Sequence, residues 1–336
     1  MVTWRPKAFA RAGRPPIPPG VDAASSMTRH QASWLALPGH DLLLGIVVTA
    51  VWGTNFVVIR LGLQSFPPLA FACLRFLLVF FPAMLFIRRP PIAWSRLAAY
   101  GTIAGGGQFG LLFVALRGPI SPGLGSLVIQ SQVFFTVGIA AFCGFERVGR
   151  TQVFAALIAV AGLLLIAVKG GGDATAVGLG LVLLAAVAWA IANILMRGAT
   201  PGGMLAFIVW SSPFAVLPLL IMSIAFEGPC AILIASRAAG VGAWIAVLWQ
   251  ATGNTLFGFA AWGGLLQRHP ASVVTPLALL VPIFGLGSAA LLLGEHLQDW
   301  KVGAALLVLA GLGLNLSAKK AAIPARFPAE GGPRTE

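Results

Sequence analysis

Ten apolar runs, each roughly 16 to 25 residues long, follow one another from Leu42 to Ser317 with little between them. A helix rises about 1.5 Å per residue, so about 20 apolar residues cross the roughly 30 Å hydrocarbon core of a bilayer. The runs fall at about residues 42–63, 68–87, 97–116, 122–144, 152–168, 178–198, 203–226, 241–266, 271–293 and 300–317. The fifth is short and can borrow a turn from Thr151 or Lys169. Composition points the same way: 58% of residues are apolar and 9% are charged, against roughly 25% charged in a globular chain. So few polar groups cannot cover a water-facing surface, and lipid is the solvent for most of the chain. The fold class is all-α, a polytopic membrane protein with ten transmembrane helices.

The net charge of +13 lies in two tails and a few short loops. No basic face is interleaved with aromatics, as nucleic-acid binding needs, so nucleic acid is not an expected partner. The pattern fits the cytoplasmic excess of Lys and Arg in membrane proteins. With the N-terminus inside, sixteen of these residues fall on the cytoplasmic side and five on the other, or seven against five without the tails. Both termini are expected in the cytoplasm. No apolar core with a small-residue cleavage site precedes Asp41, which argues against a cleaved signal peptide, and Met27 offers an alternative start. Cys73, Cys143 and Cys230 are scattered at apolar positions and give neither a disulfide framework nor a metal spacing.

The chain also repeats. Glu146 and Glu295 each close an apolar run, and each lies sixteen residues before a glycine of an Ala-Gly pair, Gly162 and Gly311. The same shift of 149 residues carries Phe113 onto Trp262 and Leu116 onto Leu265. Trp52 precedes Arg60 by eight residues, and Trp189 precedes Arg197 by eight. Two halves of five helices follow, at 39–170 and 176–318. They are flanked by a disordered Pro/Arg-rich tail at 1–38 and a disordered cytoplasmic tail at 319–336. Because five is odd, the second half enters the membrane from the opposite side, an inverted repeat of the kind that places a transporter's substrate site near mid-membrane.

All nine acidic residues and all four histidines lie outside the runs or at their ends. Membrane hydrolases and prenyl-type transferases need buried acids or metal ligands, so catalysis is disfavoured and no metal or cofactor is expected. Arg75 is the one charge deep in a run, roughly 10 Å below the outer surface. Structural anchoring through carbonyls or glutamines, contact with a substrate carboxylate, and snorkelling all remain open for it.

The remaining polar positions read as a cavity wall or as glue between helices. Trp52 and Asn55 share one helical face, as do Trp189 and Asn193 on the sixth run. Gln108 follows three glycines, Gln130 and Gln132 lie on two stripes of the fourth run, and Gln250 and Asn254 lie one turn apart. Amides in lipid are costly unless bonded, so these are expected to converge on the bundle interior. Trp210 and Trp262 complete the candidate cavity residues. Pro213, Pro276 and Pro282 are expected to kink or unwind their helices. Glu146 and Glu295 precede the next helix, where a carboxylate favours the positive helix end, so capping competes with gating.

Taken together, Trp52-Gly53-Thr54-Asn55-Phe56, Leu74-Arg75-Phe76 and the two Gly-containing segments ahead of the fifth and tenth runs resemble the EamA-type exporters of the drug/metabolite transporter superfamily. More narrowly, Pro67-Pro68-Leu69, Gln108-Phe109, Ser126 to Gln132, Trp210-Ser211 and Pro276 to Pro282 are similar to O-acetylserine/cysteine exporters. That resemblance implies alternating-access export of small amino-acid-like metabolites across a bacterial inner membrane. The implied partners are the lipid bilayer and a small polar or zwitterionic solute, with monomer or homodimer left open. Broader drug/metabolite efflux is the alternative, a membrane enzyme a remote one. A channel would need rings of charge or a carbonyl filter, neither of which the sequence carries.

Overall fold

The computed structural model describes residues 37–145, 148–197 and 203–321. The tails, apart from their inner edges, and Glu146 lie outside the described residues. Eleven helices organise the rest: α1 (Gly39–Gly62), α2 (Pro68–Ala83), α3 (Trp94–Leu116), α4 (Pro122–Phe142), α5 (Arg150–Lys169), α6 (Ala176–Met196), α7 (Met204–Phe226), α8 (Ala231–Ala238), α9 (Val241–Arg268), α10 (Thr275–Leu293) and α11 (Asp299–Ala321). Among the described residues, eight helices are long and apolar enough to cross a membrane, or nine if α8 and α9, bent by 119°, form one span. Helix α5 takes up Arg150 at one end and Lys169 at the other, and so reaches 20 residues.

The expected ten differ at two places. Helix α2 has 16 residues and ends at Ala83. Pro82, which has no N–H, sits in its last turn, and the chain continues to Ile87 as hydrogen-bonded turns. Helix α8 has no counterpart among the sequence runs. It stops at Ala238 because Ala239 is extended and Gly240 follows it.

Several helices are irregular where the sequence is rich in Gly, Pro or Thr. Helix α3 becomes a π-helix over Ile103–Gly110, and α9 does so over Gln250–Phe257. The first contains Gly105, Gly106 and Gly107, whose low helix propensity lowers the cost of the change. In the second, the Thr255 hydroxyl donates to Gln250 O at 2.8 Å, five residues back. A 3₁₀ stretch, Ile129–Ser131, interrupts α4, and another, Thr275–Leu279, opens α10 around Pro276. Pro282 is buried in the first α-helical turn of α10, and Pro213 restarts α7 after a break at Ser212. Helices α4 and α10 both end on a left-handed glycine, Gly144 at φ +73° and Gly294 at φ +69°.

Packing follows the small residues. On α5, Val153, Leu157, Val160 and Leu164 are exposed and form a lipid-facing stripe, whereas Ala155, Ala159, Gly162 and Ile166 are buried. The buried stripe lies on α11. A side chain at Gly162 would meet Ala304 O at 3.0 Å and Val308 at 2.9 Å. One at Gly311 would meet Ala155 O at 2.6 Å and Ala159 at 3.0 Å. The two sets of contacts mirror each other: position 162 meets 304 and 308, position 311 meets 155 and 159, and a shift of 149 residues carries 155, 159 and 162 onto 304, 308 and 311. Elsewhere α1 lies on α10, α2 and α3 lie on α7, and α6 lies on α3 and α4.

Three of the described acids tie helix ends together. Asp41 accepts from Arg268 Nη2 at 2.8 Å and pairs with His269 Nε2 at 2.6 Å, joining the start of α1 to the end of α9. Lys301 at the start of α11 pairs with Asp173 at 2.8 Å. The Glu227 carboxylate accepts from the backbone N–H of Leu69 (2.6 Å) and of Ala70 (2.9 Å), at the positive end of α2.

Candidate functional site

The side chain of Arg75 is 0% exposed, between α2 and the two π segments. An Arg at membrane depth costs from about 3 to more than 10 kcal/mol when unsupported, and here three contacts offset that cost in part. Nε and Nη2 donate to Thr255 Oγ1 at 3.1 and 2.9 Å. The Phe109 ring centre lies 3.8 Å from the guanidinium carbon and the Phe76 ring 5.3 Å away, so the cation rests on aromatic faces. Nη1 is buried and has no hydrogen-bond partner. Arg75 borders a cavity of ≈ 20 Å³ whose wall includes Tyr100, Ser211, Ser212 and Thr255. That is room for about one water molecule.

A chain of polar contacts runs from Arg75 through the π segment of α9 to α1. Thr255 is tied to the Gln250 carbonyl, and the Gln250 and Asn55 amides bond reciprocally, at 2.7 and 3.3 Å. Both amides are buried. Next to them Trp52 Nε1 donates to the backbone carbonyl of Asn254 at 3.1 Å. The widened helix frees carbonyls from the regular ladder, and Trp52 takes one of them. The Trp52 ring also packs on Trp262, with centres 5.2 Å apart, and on Phe259 at 5.8 Å.

The other candidates fall elsewhere. Asn193 donates to Gln132 Oε1 at 2.8 Å and to Thr136 Oγ1 at 3.3 Å, linking α6 to α4, with no hydrogen bond to the Arg75 chain. Gln130 donates to Ala278 O at 3.4 Å. Gln108 is buried in the π segment of α3, and Trp189 is half-buried against the core. Trp210 donates to Ile87 O at 2.9 Å. The amides thus divide into separate sets instead of converging on one cavity, because α4 and α6 bind each other while α1 binds α9.

Glu295 caps a different helix from the one expected. Its carboxylate accepts from Ser121 Oγ at 2.9 Å and from Gly123 N at 3.3 Å, so it caps α4 and not the helix that follows it in sequence. The left-handed Gly294 turns the chain back over the start of α4. Glu295 also borders a second cavity, of ≈ 330 Å³, with Arg60, Gln64, Ser121 and Asp173. Among the described residues, no group of three or more His, Cys, Asp or Glu is placed to hold a metal.

Three residues escaped the sequence reading. Thr255 stands five residues after Gln250, off the i, i+4 spacing of a regular helix. Tyr100 is the chain's one tyrosine, and its composition alone marked it. Glu227 sits at a helix end where a carboxylate reads as an ordinary surface group.

A bundle of apolar helices around a buried cation and amide pairs defines a membrane transport protein. The chain belongs to the EamA-like transporter family, which it matches over residues 41–168 and again over 176–317. It is 39% identical over 282 residues to a protein of Salmonella typhimurium named as a probable amino-acid metabolite efflux pump, covering 82% of this chain and 94% of that one. A protein of Escherichia coli K12 with the same name is 36% identical over the same shares. An uncharacterized inner membrane transporter of Escherichia coli K12 is 24% identical over 74% of this chain and 79% of its own. A solved crystal structure covers 85% of this chain and 100% of its own, with a TM-score of 0.58 and 18% identity, and so shares the fold.

Proposed function

We propose that this protein is a secondary transporter that exports small amino-acid-like metabolites across the inner membrane by alternating access. The observation that carries this reading is Arg75, a buried cation with a donor to spare, set among α2, α3, α7 and α9. Those helices come from both parts of the chain that match the family. The cargo class is supported by the two relatives named as amino-acid metabolite efflux pumps. Cysteine and O-acetylserine are the narrower reading, supported by the segments around Gln108, Ser126 to Gln132 and Pro276 to Pro282.

Two inverted halves of five crossings each, with α2 and the α8–α9 pair counted, complete the reading. Its supports are the two family matches, the equal 149-residue spacing across α5 and α11, and the left-handed ends of α4 and α10. The π segments of α3 and α9 fall at near-equivalent places in the halves. Such breaks in paired helices are where transporters of this architecture bind their cargo and rock about it. Trp52, Asn55, Gln250, Asn254 and Trp262 then belong to one wall of the path, and Gln132, Trp189 and Asn193 to the other. Both termini lie in the cytoplasm.

The test is uptake of labelled cysteine and O-acetylserine into inverted membrane vesicles, with and without an imposed pH gradient. Accumulation above that of vesicles lacking the protein is the expected result. No accumulation of either, at normal protein levels, would remove the narrower cargo. Reporter fusions placing the two termini in different compartments would remove the ten-crossing topology.

A further inference from the structure

The free edge of Arg75 has a specific chemistry. Its guanidinium offers five N–H donors in a planar fork. Nε and Nη2 are already engaged by Thr255, and both faces of the plane are not equally open, since Phe109 covers one at 3.8 Å. What remains is the Nη1 end, which is buried and without a partner. Three of the five N–H groups, both on Nη1 and one on Nη2, are not taken by Thr255, and a further donor beside Nη1 would strengthen the hold on a carboxylate. Tyr100 borders the same cavity, with its ring fixed edge-on against Phe207 at 4.7 Å. A tyrosine hydroxyl donates readily to a carboxylate oxygen. No acidic side chain lines this cavity, so nothing in the protein competes for the cation.

We propose that Arg75 Nη1 and the Tyr100 hydroxyl together receive the carboxylate of the transported solute, so that the site accepts small α-amino carboxylates and rejects the corresponding amines and esters. This assignment rests on the exporter reading and names which part of the cargo is recognised. An amine without a carboxylate brings a cation towards Arg75 and is repelled. A methyl ester brings only a neutral carbonyl and forfeits the charge-assisted bond. The cavity of ≈ 20 Å³ is too small for an amino acid, so binding one requires it to widen. Helices α3 and α7 close it on one side, where they pack tightly. A Cβ at Gly101 would lie 2.1 Å from Ser211 O, and one at Gly105 would lie 2.2 Å from the Ala215 Cβ.

Inverted vesicles carrying the full chain, loaded with labelled L-cysteine against unlabelled competitors, test the assignment. Cysteamine and L-cysteine methyl ester are expected to compete about tenfold or more weakly than L-cysteine. Tyr100→Phe is expected to raise KM about three- to tenfold with little change in the maximal rate. Arg75→Gln is expected to abolish the preference for the acid over the ester. Equal competition by cysteamine in the wild type, or a wild-type preference retained in both variants, overturns the assignment while leaving export itself intact. Should wild-type vesicles take up no cysteine, that cargo fails, and melting of the purified protein decides the carboxylate question. Stabilisation by L-cysteine but not cysteamine, lost in Arg75→Gln, supports the assignment; no stabilisation overturns it. Stabilisation by chloride that cysteine does not displace would assign Nη1 to a resident halide and overturn it as well.

Discussion

One hydroxyl oxygen, that of Thr255 on α9, accepts from both Nε and Nη2 of Arg75 on α2. It passes the interaction on by donating to Gln250 O at 2.8 Å. The oxygen is thus the joint between a buried cation and a π-helical segment. Thr255→Val keeps the shape and removes the acceptor, leaving buried charged donors unpaired. The expected loss of stability is about 2–4 kcal/mol, and Thr255→Ser should recover most of it. Thermal unfolding in detergent reads both, and a wild-type melting temperature for Thr255→Val would show that the guanidinium needs no partner there.

Asn55 and Gln250 exchange two hydrogen bonds between α1 and α9, at 3.3 and 2.7 Å. Replacing either by leucine strands the other amide, whereas replacing both leaves an apolar contact. A double-mutant cycle is expected to give a coupling of about 1 kcal/mol, the usual size for hydrogen bonds between membrane helices. Additive effects of the two single changes would mean that the pair does not act as a unit.

The Glu227 carboxylate binds the N–H groups of Leu69 and Ala70 and accepts from Ser223 Oγ at 2.7 Å. It takes the place of a capping side chain, because the residue before α2 is Pro67, which provides none. Glu227→Ala should cost about 0.5–2 kcal/mol and speed amide exchange selectively in the first turn of α2. Exchange unchanged at Leu69 and Ala70 would contradict the cap.

Gly311 and Gly313 lie two residues apart on α11 and face different surroundings. A Cβ at Gly311 meets Ala155 O at 2.6 Å, whereas one at Gly313 meets nothing within 4 Å. Gly311→Ala should therefore destabilise the α5–α11 contact by about 1–3 kcal/mol. Gly313→Ala should be neutral or slightly stabilising, because alanine favours the helix. Equal melting temperatures for the two variants would rule out a close contact at Gly311.

Most helices were legible because hydrocarbon imposes a length and a composition on anything that crosses it. Helix α5 shows this well: the short apolar run at 152–168 was expected to borrow a turn from Thr151 or Lys169, and the helix extends at both ends, to Arg150 and Lys169. Helix α8 was hidden because it is a short amphipathic piece bounded by a bend. The end of α2 was misplaced because the apolar run continues to Ile87 while the helix ends at Ala83, one residue after Pro82. For Arg75 the sequence predicted depth in the membrane, but it could not reveal Thr255. The π-helix turns position 255 onto a face that regular spacing assigns elsewhere.

The sequence by itself determined that lipid is the solvent, that the charges belong at the ends, and that a lone guanidinium lies at depth. Those conclusions follow from the energy of placing each group in hydrocarbon, which depends on the group and its position along the chain. Tertiary structure alone decided partnership: Glu295 with the start of α4, Asn193 with Gln132, and Asn55 with Gln250. Pairing depends on which helices lie side by side, and identical amides at equal depths have many ways to bond until packing selects one.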